Sequence, residues 1–429
     1  WFGLIYCKIL PPRGLYLPVL PIKQKAGQAH KLVFGLCRSC MQKVDIKCKH
    51  IKTTNVKCID NCQIKDCSQC KMAKKIIKSK CQECYNIRNS NCQHADSERA
   101  ITGFWTTVEV NKAIEVGYKI IDIYEVHHFN TTSTELWKSY IRKFLKIKLE
   151  TSPFNCSEEE YRQKAKLQEI ELGELKPNPG LRFISKICLN SLWGKFGQNV
   201  KASHKEYIDN ERDFYSIITN DKVDNLALSF INKPSPLGFT NDTLVYATYD
   251  EDINFIKTNF NTNVYIACFT TSHARLRLYN MMELLGNSVC YCDTDSIIYA
   301  ENEENKQKVK QYLGDSLGEW TDELDGKHMK LFCSAQPKDY GYVLSNNEIK
   351  GKVKGFRTSA ETEYQMTNEN RIKLITGALD SIAISQNTFA IAKSQIFTEQ
   401  MTKNWCANFD KRVIVKNSEY DFDTVPFGY

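Results

Sequence analysis

From its N-terminus the chain alternates apolar and polar positions over WFGLIYCKILPP, the period-two pattern of a half-buried strand. Pro11, Pro12, Gly14, Pro18 and Pro21 then break the first 36 residues into strand pieces. After a cysteine-rich block, TTVEVNKAIEVGYKI reads as a short helix capped by Thr106 or Thr107 and stopped at Gly117, with the strand IIDIYEVHHF behind it. Three helical stretches follow. TSTELWKSYIRKFLKIKLE opens with Thr132 and Glu135 in capping-box spacing and repeats apolar residues at Leu136, Tyr140, Phe144 and Ile147. SEEEYRQKAKLQEIEL carries a second capping box, Ser157 with Glu160, and stops near Gly173 and Pro177; NPGLRFISKICLNSLWGKFGQ is the third. A mixed stretch to about Asn263 includes the strand DTLVYATYD, and residues 270–285 form a helix ended by Gly286. That helix leads into VCYCDTDSIIY, two short strands meeting at a polar tip. Beyond it lie a helix in ENKQKVKQYLGD, strands in KDYGYVL and KVKGF, and a C-terminal segment with a weak pattern.

Two places in this pattern suggest chemistry. Asp293 and Asp295 interrupt an apolar hairpin one residue apart, and residues i and i+2 of a strand share a face. Adjacent carboxylates repel, so the pair is favourable mainly around a hard divalent cation, as where Mg²⁺ is held by one or two carboxylates and substrate phosphates. A solvated turn of Asp, Thr, Asp and Ser is the plainer alternative. On the third helix, Arg182, Lys186, Asn190 and Trp193 fall within about 80° of arc at 100° per residue. Leu181, Ile184, Cys188 and Leu192 take the opposite side and are expected in the core. Cations, an amide, a flat ring and the small Gly194 suit a nucleotide: the charges for phosphates, the ring for a base.

Composition changes the picture in one respect. The 429 residues carry a net charge of +8, which says only that an anionic partner is attracted, and no run of eighteen apolar residues predicts a membrane span. The cysteines are more telling. Ten of the eighteen fall between Cys37 and Cys92, with five lysines in KMAKKIIKSK among them. Cys37/Cys40, Cys67/Cys70 and Cys81/Cys84 are CxxC pairs; Cys48 with His50, Cys58 with Cys62, and Cys92 with His94 lie around them. Such spacings suit tetrahedral structural Zn²⁺ rather than disulfides, which points to a reducing compartment such as nucleus, cytoplasm or organelle. The ligands suffice for three sites, and their pairing stays open.

Taken together, the motifs resemble those of family B DNA polymerases. YCDTDS (Tyr291–Ser296) is similar to the third polymerase motif, Lys186 to Gly194 to the second, KxxxNSxYG with Trp193 for Tyr, and Lys338-Asp339-Tyr340 to the KxY motif, all in the family's order. The closer resemblance is to the protein-primed branch of viruses, organelles and self-synthesising transposons. WFGLIYCKILPPRGLYLPVLP, the CxxC followed by a distant CxH, LNSLWGKFGQ and the terminal FDKRV…DTVPFGY extend it over nearly the whole chain. The resemblance implies an α+β fold: a palm of antiparallel sheet, helical fingers, a small thumb and a Cys-rich zinc-binding insertion. In residues, it implies palm-proximal strands over 1–36, the Cys/His-rich basic insertion over 37–94 and the rest of that subdomain over 95–132. Fingers over 133–198, a second insertion over 199–263, palm over 264–357 and thumb over 358–429 complete it.

By the same resemblance, Asp293 and Asp295 hold catalytic Mg²⁺. Lys148 and Lys186 bind the dNTP triphosphate, Asn190, Ser191, Trp193 and Gly194 shape the nucleotide pocket, and Lys338 and Tyr340 hold the primer end. The implied reaction is attack of a primer 3′ oxygen on the α-phosphate of a dNTP, assisted by two metals. DNA template and primer, and a terminal priming protein, are the implied partners. Two expected features are missing: the first polymerase motif, DxxSLYP, with another metal-binding aspartate, and the exonuclease domain. With Trp1 in place of Met, the chain reads as a fragment expected to be inactive alone. The alternative is a non-catalytic, zinc-dependent nucleic-acid-binding remnant of a transposon polymerase. A reverse transcriptase would show adjacent aspartates and lack the helix motif.

Overall fold

The computed structural model describes residues 1–26, 29–42, 92–198, 203–232, 239–240, 243–252, 254–255, 262–314, 316–357, 359–392, 395–409, 411–416 and 422–429. They are mixed α and β and divide into two units. One contains Trp1–Thr134, Thr271–Gly314 and Asn408–Tyr429; the other contains Glu135–Thr270 and Asp315–Ala407.

The first unit is built on β1 (Gly3–Leu10), flanked antiparallel by β4 (Ile101–Thr106) and β5 (Lys119–His128). Alternation along β1 buries Ile5, Cys7 and Ile9 on one face. Against that face pack Trp105, Val110, Tyr118 and Phe427, with residues of the hairpin β2 (Pro21–Ala26) and β3 (Ala29–Phe34). Buried polar tips find partners: the Trp105 Nε1–H donates to the Pro21 carbonyl at 2.8 Å, and the Tyr279 hydroxyl to that of Leu17 at 3.0 Å. Short helices α1 (Arg38–Met41) and α2 (Asp96–Arg99) flank the cysteine block. Helix α3 (Thr107–Glu115) follows β4 as expected, and Gly117 leaves it at φ 99°, a conformation glycine adopts freely. The Thr106 hydroxyl does not cap it; it donates to the buried Glu109 carboxylate, which also accepts from Ser272 and Arg275 on α8 (Val264–Leu285). Helix α8 starts six residues before the expected 270, because the Asn263 side chain accepts from the Ile266 N–H. Strands β9 (Val289–Asp293) and β10 (Ser296–Tyr299), helix α9 (Glu303–Lys310) and the pair β16 (Val413–Lys416) and β17 (Phe422–Val425) complete the unit.

The second unit opens with three helices, α4 (Lys138–Glu150), α5 (Glu158–Leu167) and α6 (Pro179–Phe196). The Ser157 cap forms, its hydroxyl accepting from the Glu160 N–H, and Asn178 caps α6 ahead of Pro179. The capping box expected at Thr132 and Glu135 does not start α4. The helix begins at Lys138 behind Trp137, whose ring packs on Phe196 with centroids 5.0 Å apart, while Glu135 pairs with Lys138. The core face expected on α6 is also corrected. Leu181 is 42 % and Ile184 55 % exposed, whereas Ser185 is buried and Cys188, Leu189 and Leu192 are partly so, a stripe rotated toward the polar side. Helix α4 meets α6 there, with the Tyr140 hydroxyl donating to the Cys188 carbonyl at 3.1 Å.

Beyond the helices, β6 (His204–Ile208), β8 (Leu244–Glu251) and β7 (Val223–Asn232) form a sheet in that order, packed on α7 (Glu211–Ile218) through Ile208, Ile217, Val245 and Ala247. A second antiparallel sheet joins β11 (Met329–Gln336), β12 (Asp339–Leu344) and β13 (Ile349–Val353). Helices α10 (Ala360–Gln365) and α11 (Asn368–Thr376) precede the long hairpin β14 (Ile382–Ala392) and β15 (Gln395–Trp405). Leu374, Ile384 and Trp405 form the core there.

Candidate active site and metal cluster

The two flanks of the cysteine block meet. Cys37, which caps α1, Cys40 on α1 and Cys92 are buried, and their sulfurs lie 3.5, 3.4 and 3.5 Å from Nδ1 of the half-buried His94. All four donor atoms lie within 4.8 Å of one another. A tetrahedral zinc with Zn–S near 2.3 Å and Zn–N near 2.0–2.1 Å has S···N edges of about 3.5 Å, so the donor set has the size of a zinc shell. The electrostatics ready one thiol of the set, Cys37, to lose its proton. Cys37 is pulled down, first because the Cys40 thiol hydrogen-bonds to it, while Cys40, which keeps the shared proton, is pushed up. Arg13 donates to the carbonyls of Cys92 and His94 at 2.7 and 2.8 Å, fixing the CxH limb. On the other limb the Leu36 N–H donates to the Phe427 carbonyl, and Gly428 lies so close that a side chain there would strike Cys37. Of the other expected zinc ligands, Cys48, His50, Cys58, Cys62, Cys67, Cys70, Cys81 and Cys84 lie outside the described residues.

The acidic hairpin forms as read. β9 and β10 pair with Ser296 opposite Asp293, leaving Thr294 and Asp295 as a two-residue turn. Asp293 therefore ends a strand, and Asp295 belongs to the turn rather than to the same strand. The Asp295 N–H donates to the Asp293 carbonyl at 2.6 Å, and the Thr294 hydroxyl to an Asp293 carboxylate oxygen at 3.0 Å. Thr294 sits at φ 58°, a left-handed conformation rare for a β-branched residue and a form of strain that gathers at functional sites. Asp293 is partly exposed and Asp295 exposed, so neither acid is sealed from a cation. Among the described residues the Cys/His set is the one group of three or more metal-ligating side chains; no third carboxylate joins the aspartates.

The second unit gathers cations. Lys148 on α4 is lowered in pKa by burial and then by Arg182 and Lys186 of α6, which places three positive groups in one electrostatic neighbourhood. Arg182 is held by its Nε–H donating to Ser152 Oγ at 2.9 Å. Among the described residues no carboxylate pairs with any of the three. A cluster of like charges without a counter-ion is unfavourable unless an anion occupies it. Asn190 and Trp193 are exposed further along this face, with open space beside Gly194 where a Cβ would meet nothing. Ser191 lies about 140° around the helix from Lys186, away from that face. Lys338 and Tyr340 sit at and just after the tight turn joining β11 to β12, around the buried Asp339. Sequence reasoning counted Arg182 among the phosphate-suited cations of the polar face but not among the residues the resemblance implies, and it did not single out Asp339; Arg182 was within reach of helical periodicity, Asp339 was not.

Residues 172–287, which include the cationic face of α6, match the family model described as DNA polymerase type B, organellar and viral. This central segment resembles the type B DNA polymerases. A protein of Agaricus bitorquis described as a probable DNA polymerase is 23% identical over 295 residues, 64% of this chain and 32% of that protein. The phi29 DNA polymerase in its orthorhombic crystal form matches with a TM-score of 0.52 and 14% identity, over 94% of this chain and 51% of that one. The chain thus spans about a third of the curated relative and about half of the phi29 enzyme, and the second likeness is one of fold. No helix among the described residues is long and apolar enough to cross a membrane.

Proposed function

We propose that this chain carries the nucleotide-adding region of a template-directed DNA polymerase of the protein-primed kind. The observation that carries the reading is the convergence of Lys148 on α4 with Arg182 and Lys186 on α6, the helix inside the polymerase match, with no counter-acid among the described residues. In this reading Lys148 and Lys186 bind the dNTP triphosphate, with Arg182 beside them. Trp193 and Asn190 flank the base and sugar, with Ser191 and Gly194 shaping the surroundings. Asp293 and Asp295 bind Mg²⁺, which supplies charge stabilisation for phosphoryl transfer when bound. Lys338 and Tyr340 hold the primer terminus of a DNA duplex.

The sheet around β1 and the acidic hairpin corresponds to a palm, α4 to α6 to fingers and the C-terminal hairpins to a thumb. The 37–94 block is a zinc-bound, lysine-rich platform for DNA phosphates or a terminal priming protein, with Zn²⁺ on Cys37, Cys40, Cys92 and His94 and further zinc on the remaining cysteine pairs. Because two carboxylates supply fewer ligands than a two-metal centre uses, the 429-residue chain alone is expected not to extend a primer.

Titration calorimetry with dATP and Mg²⁺ tests the reading. Saturable binding that Lys186→Ala weakens supports it, and absence of binding overturns it. Primer extension by the isolated chain would refute the expectation of inactivity. The lack of a third carboxylate among the described residues also suits a second reading, a non-catalytic nucleic-acid-binding protein that needs zinc. DNA binding with no affinity for dNTP would select it.

A further inference from the structure

The residue between Lys338 and Tyr340 is the most thoroughly enclosed acid among the described residues. Asp339 is 0 % exposed, and each carboxylate oxygen has its own donor from a different element: Arg371 Nε–H of α11 at 2.9 Å and Trp405 Nε1–H of β15 at 2.7 Å. Arg371 is itself 1 % exposed; it stacks 5.2 Å over the Trp405 ring and donates a second bond to Asn368 Oδ1 at 2.8 Å. Gly341 makes room for this, since a Cβ there would collide with Asn368 and Arg371. Strand alternation then puts Asp339 and Gly341 on the buried face and Tyr340 and Tyr342 on the other, where their rings lie 15° from parallel with centroids 6.3 Å apart.

The turn above this anchor is unusual. Gln336 pairs with Asp339 across a Pro337–Lys338 loop, and Lys338 takes φ 63°, in the left-handed region that a two-residue turn normally gives to glycine or asparagine. The turn is held from both sides: the Lys354 N–H donates to the Lys338 carbonyl at 2.9 Å, and the Ser334 hydroxyl to the Asp339 carbonyl at 3.0 Å. A buried ion pair is often no more stable than apolar packing of the same volume. What two fixed donors on one carboxylate add is orientation.

We infer that Asp339 is a positioning residue: clamped by Arg371 and Trp405, it fixes the strained turn that presents Lys338 and Tyr340 to a primer terminus. The function of that turn rests on the polymerase reading above; the clamp itself does not.

The experiment uses the full chain with two variants, Trp405→Phe, which removes one donor and keeps a ring, and Asp339→Asn, which keeps the shape and removes the charge. Amide hydrogen exchange at Lys354 and over residues 338–341 is compared with exchange at 344 and in β7 and β8. Exchange rising about ten-fold at the turn alone in a folded variant, with affinity for a recessed primer–template falling about ten-fold and dATP affinity unchanged, supports the clamp. Unchanged exchange at Lys354, or a uniform rise throughout the unit, overturns it. Lys338→Ala measured alongside separates the two ideas: if it leaves primer–template affinity intact, the primer role falls while the exchange result still decides the clamp.

Discussion

Cys37, Cys40, Cys92 and His94 enclose a space the size of one ion between largely buried donors, whereas Asp293 and Asp295 stand at an exposed hairpin tip and leave most of a cation's shell open. Both sets lie in the first unit, and under the proposed function the contrast is that between a structural and a reactive metal site. Structural zinc takes four protein ligands and leaves no position free; a phosphoryl-transfer site needs open positions for substrate oxygens. The closed set is tied into the fold by Arg13, Phe427 and Gly428, while the open set includes a bond within its own turn, from Thr294 to Asp293. Changes to the first should appear as stability, and changes to the second as ligand affinity.

The largest effect is therefore expected at the cluster. Cys92→Ala should remove the ion and lower the melting temperature by roughly 10 °C, since several kcal/mol of metal-linked folding energy is lost. Zinc analysis and differential scanning calorimetry of the same samples check both halves. Co²⁺ substitution should give the absorption of a tetrahedral site with thiolate ligands. Full zinc retention by the variant would mean that Cys92 is not a ligand. The next effect reverses the pattern. Asp295→Asn should leave the stability within about 0.5 kcal/mol of its starting value, because Asp295 is exposed. Mn²⁺ binding, followed by electron paramagnetic resonance, should fall at least about ten-fold as one of two carboxylate ligands is neutralised. A large loss of stability would place Asp295 with the cysteines instead.

The cationic face in the second unit has no counter-acid among the described residues and gives a pH-dependent version of the same test. Burial, Arg182 and Lys186 hold Lys148 below the usual lysine range. Its folded pKa is thus lower than its unfolded value, so the unfolded chain binds more protons between the two, and stability should rise with pH across that window. Triphosphate affinity should move the other way, falling as Lys148 loses its proton earlier than an ordinary lysine. Lys186→Ala removes one of the depressing charges and should shift that fall to higher pH while weakening dATP about ten- to a hundred-fold, the loss of one charge-assisted contact. Calorimetric titrations between neutral pH and pH 10 report both. A pH profile that does not move would detach Lys148 from Lys186.

What could be read in advance follows the reach of each interaction. The Ser157 cap was legible because donor and acceptor are three residues apart, and the hairpin at 289–299 because its strands adjoin its turn. The start of α4 was not, since Trp137 answers to Phe196, nearly sixty residues on. The buried stripe of α6 was ambiguous for another reason: Leu181, Phe183, Ile184, Ile187, Cys188, Leu189 and Leu192 put apolar groups on more than half of the helix circumference, so periodicity alone could not choose the packed side. The pattern of β14 is blurred by Gln386, buried to accept from the Arg357 N–H. The metal cluster was half legible, its pairs visible and their partnership not. Asp339 looked like an ordinary turn acid, because Arg371 and Trp405 come from 32 and 66 residues away.

The smallest expected effect lies at the tip of the open site and tests why it is strained. Thr294 pays for its φ of 58° with roughly 1 kcal/mol, the usual cost of a left-handed L-residue. Thr294→Gly removes that cost, at the expense of greater freedom in the unfolded chain, so the net gain in stability should be a few tenths of a kcal/mol. It also deletes the hydroxyl that donates to the Asp293 carboxylate and lets the turn sample other shapes. Mn²⁺ affinity should then fall about two- to five-fold while chemical denaturation shows no loss of stability. Affinity and stability rising together would mean that the strain is incidental, and that the acidic tip, like the cysteine cluster, gains from simply being more stable.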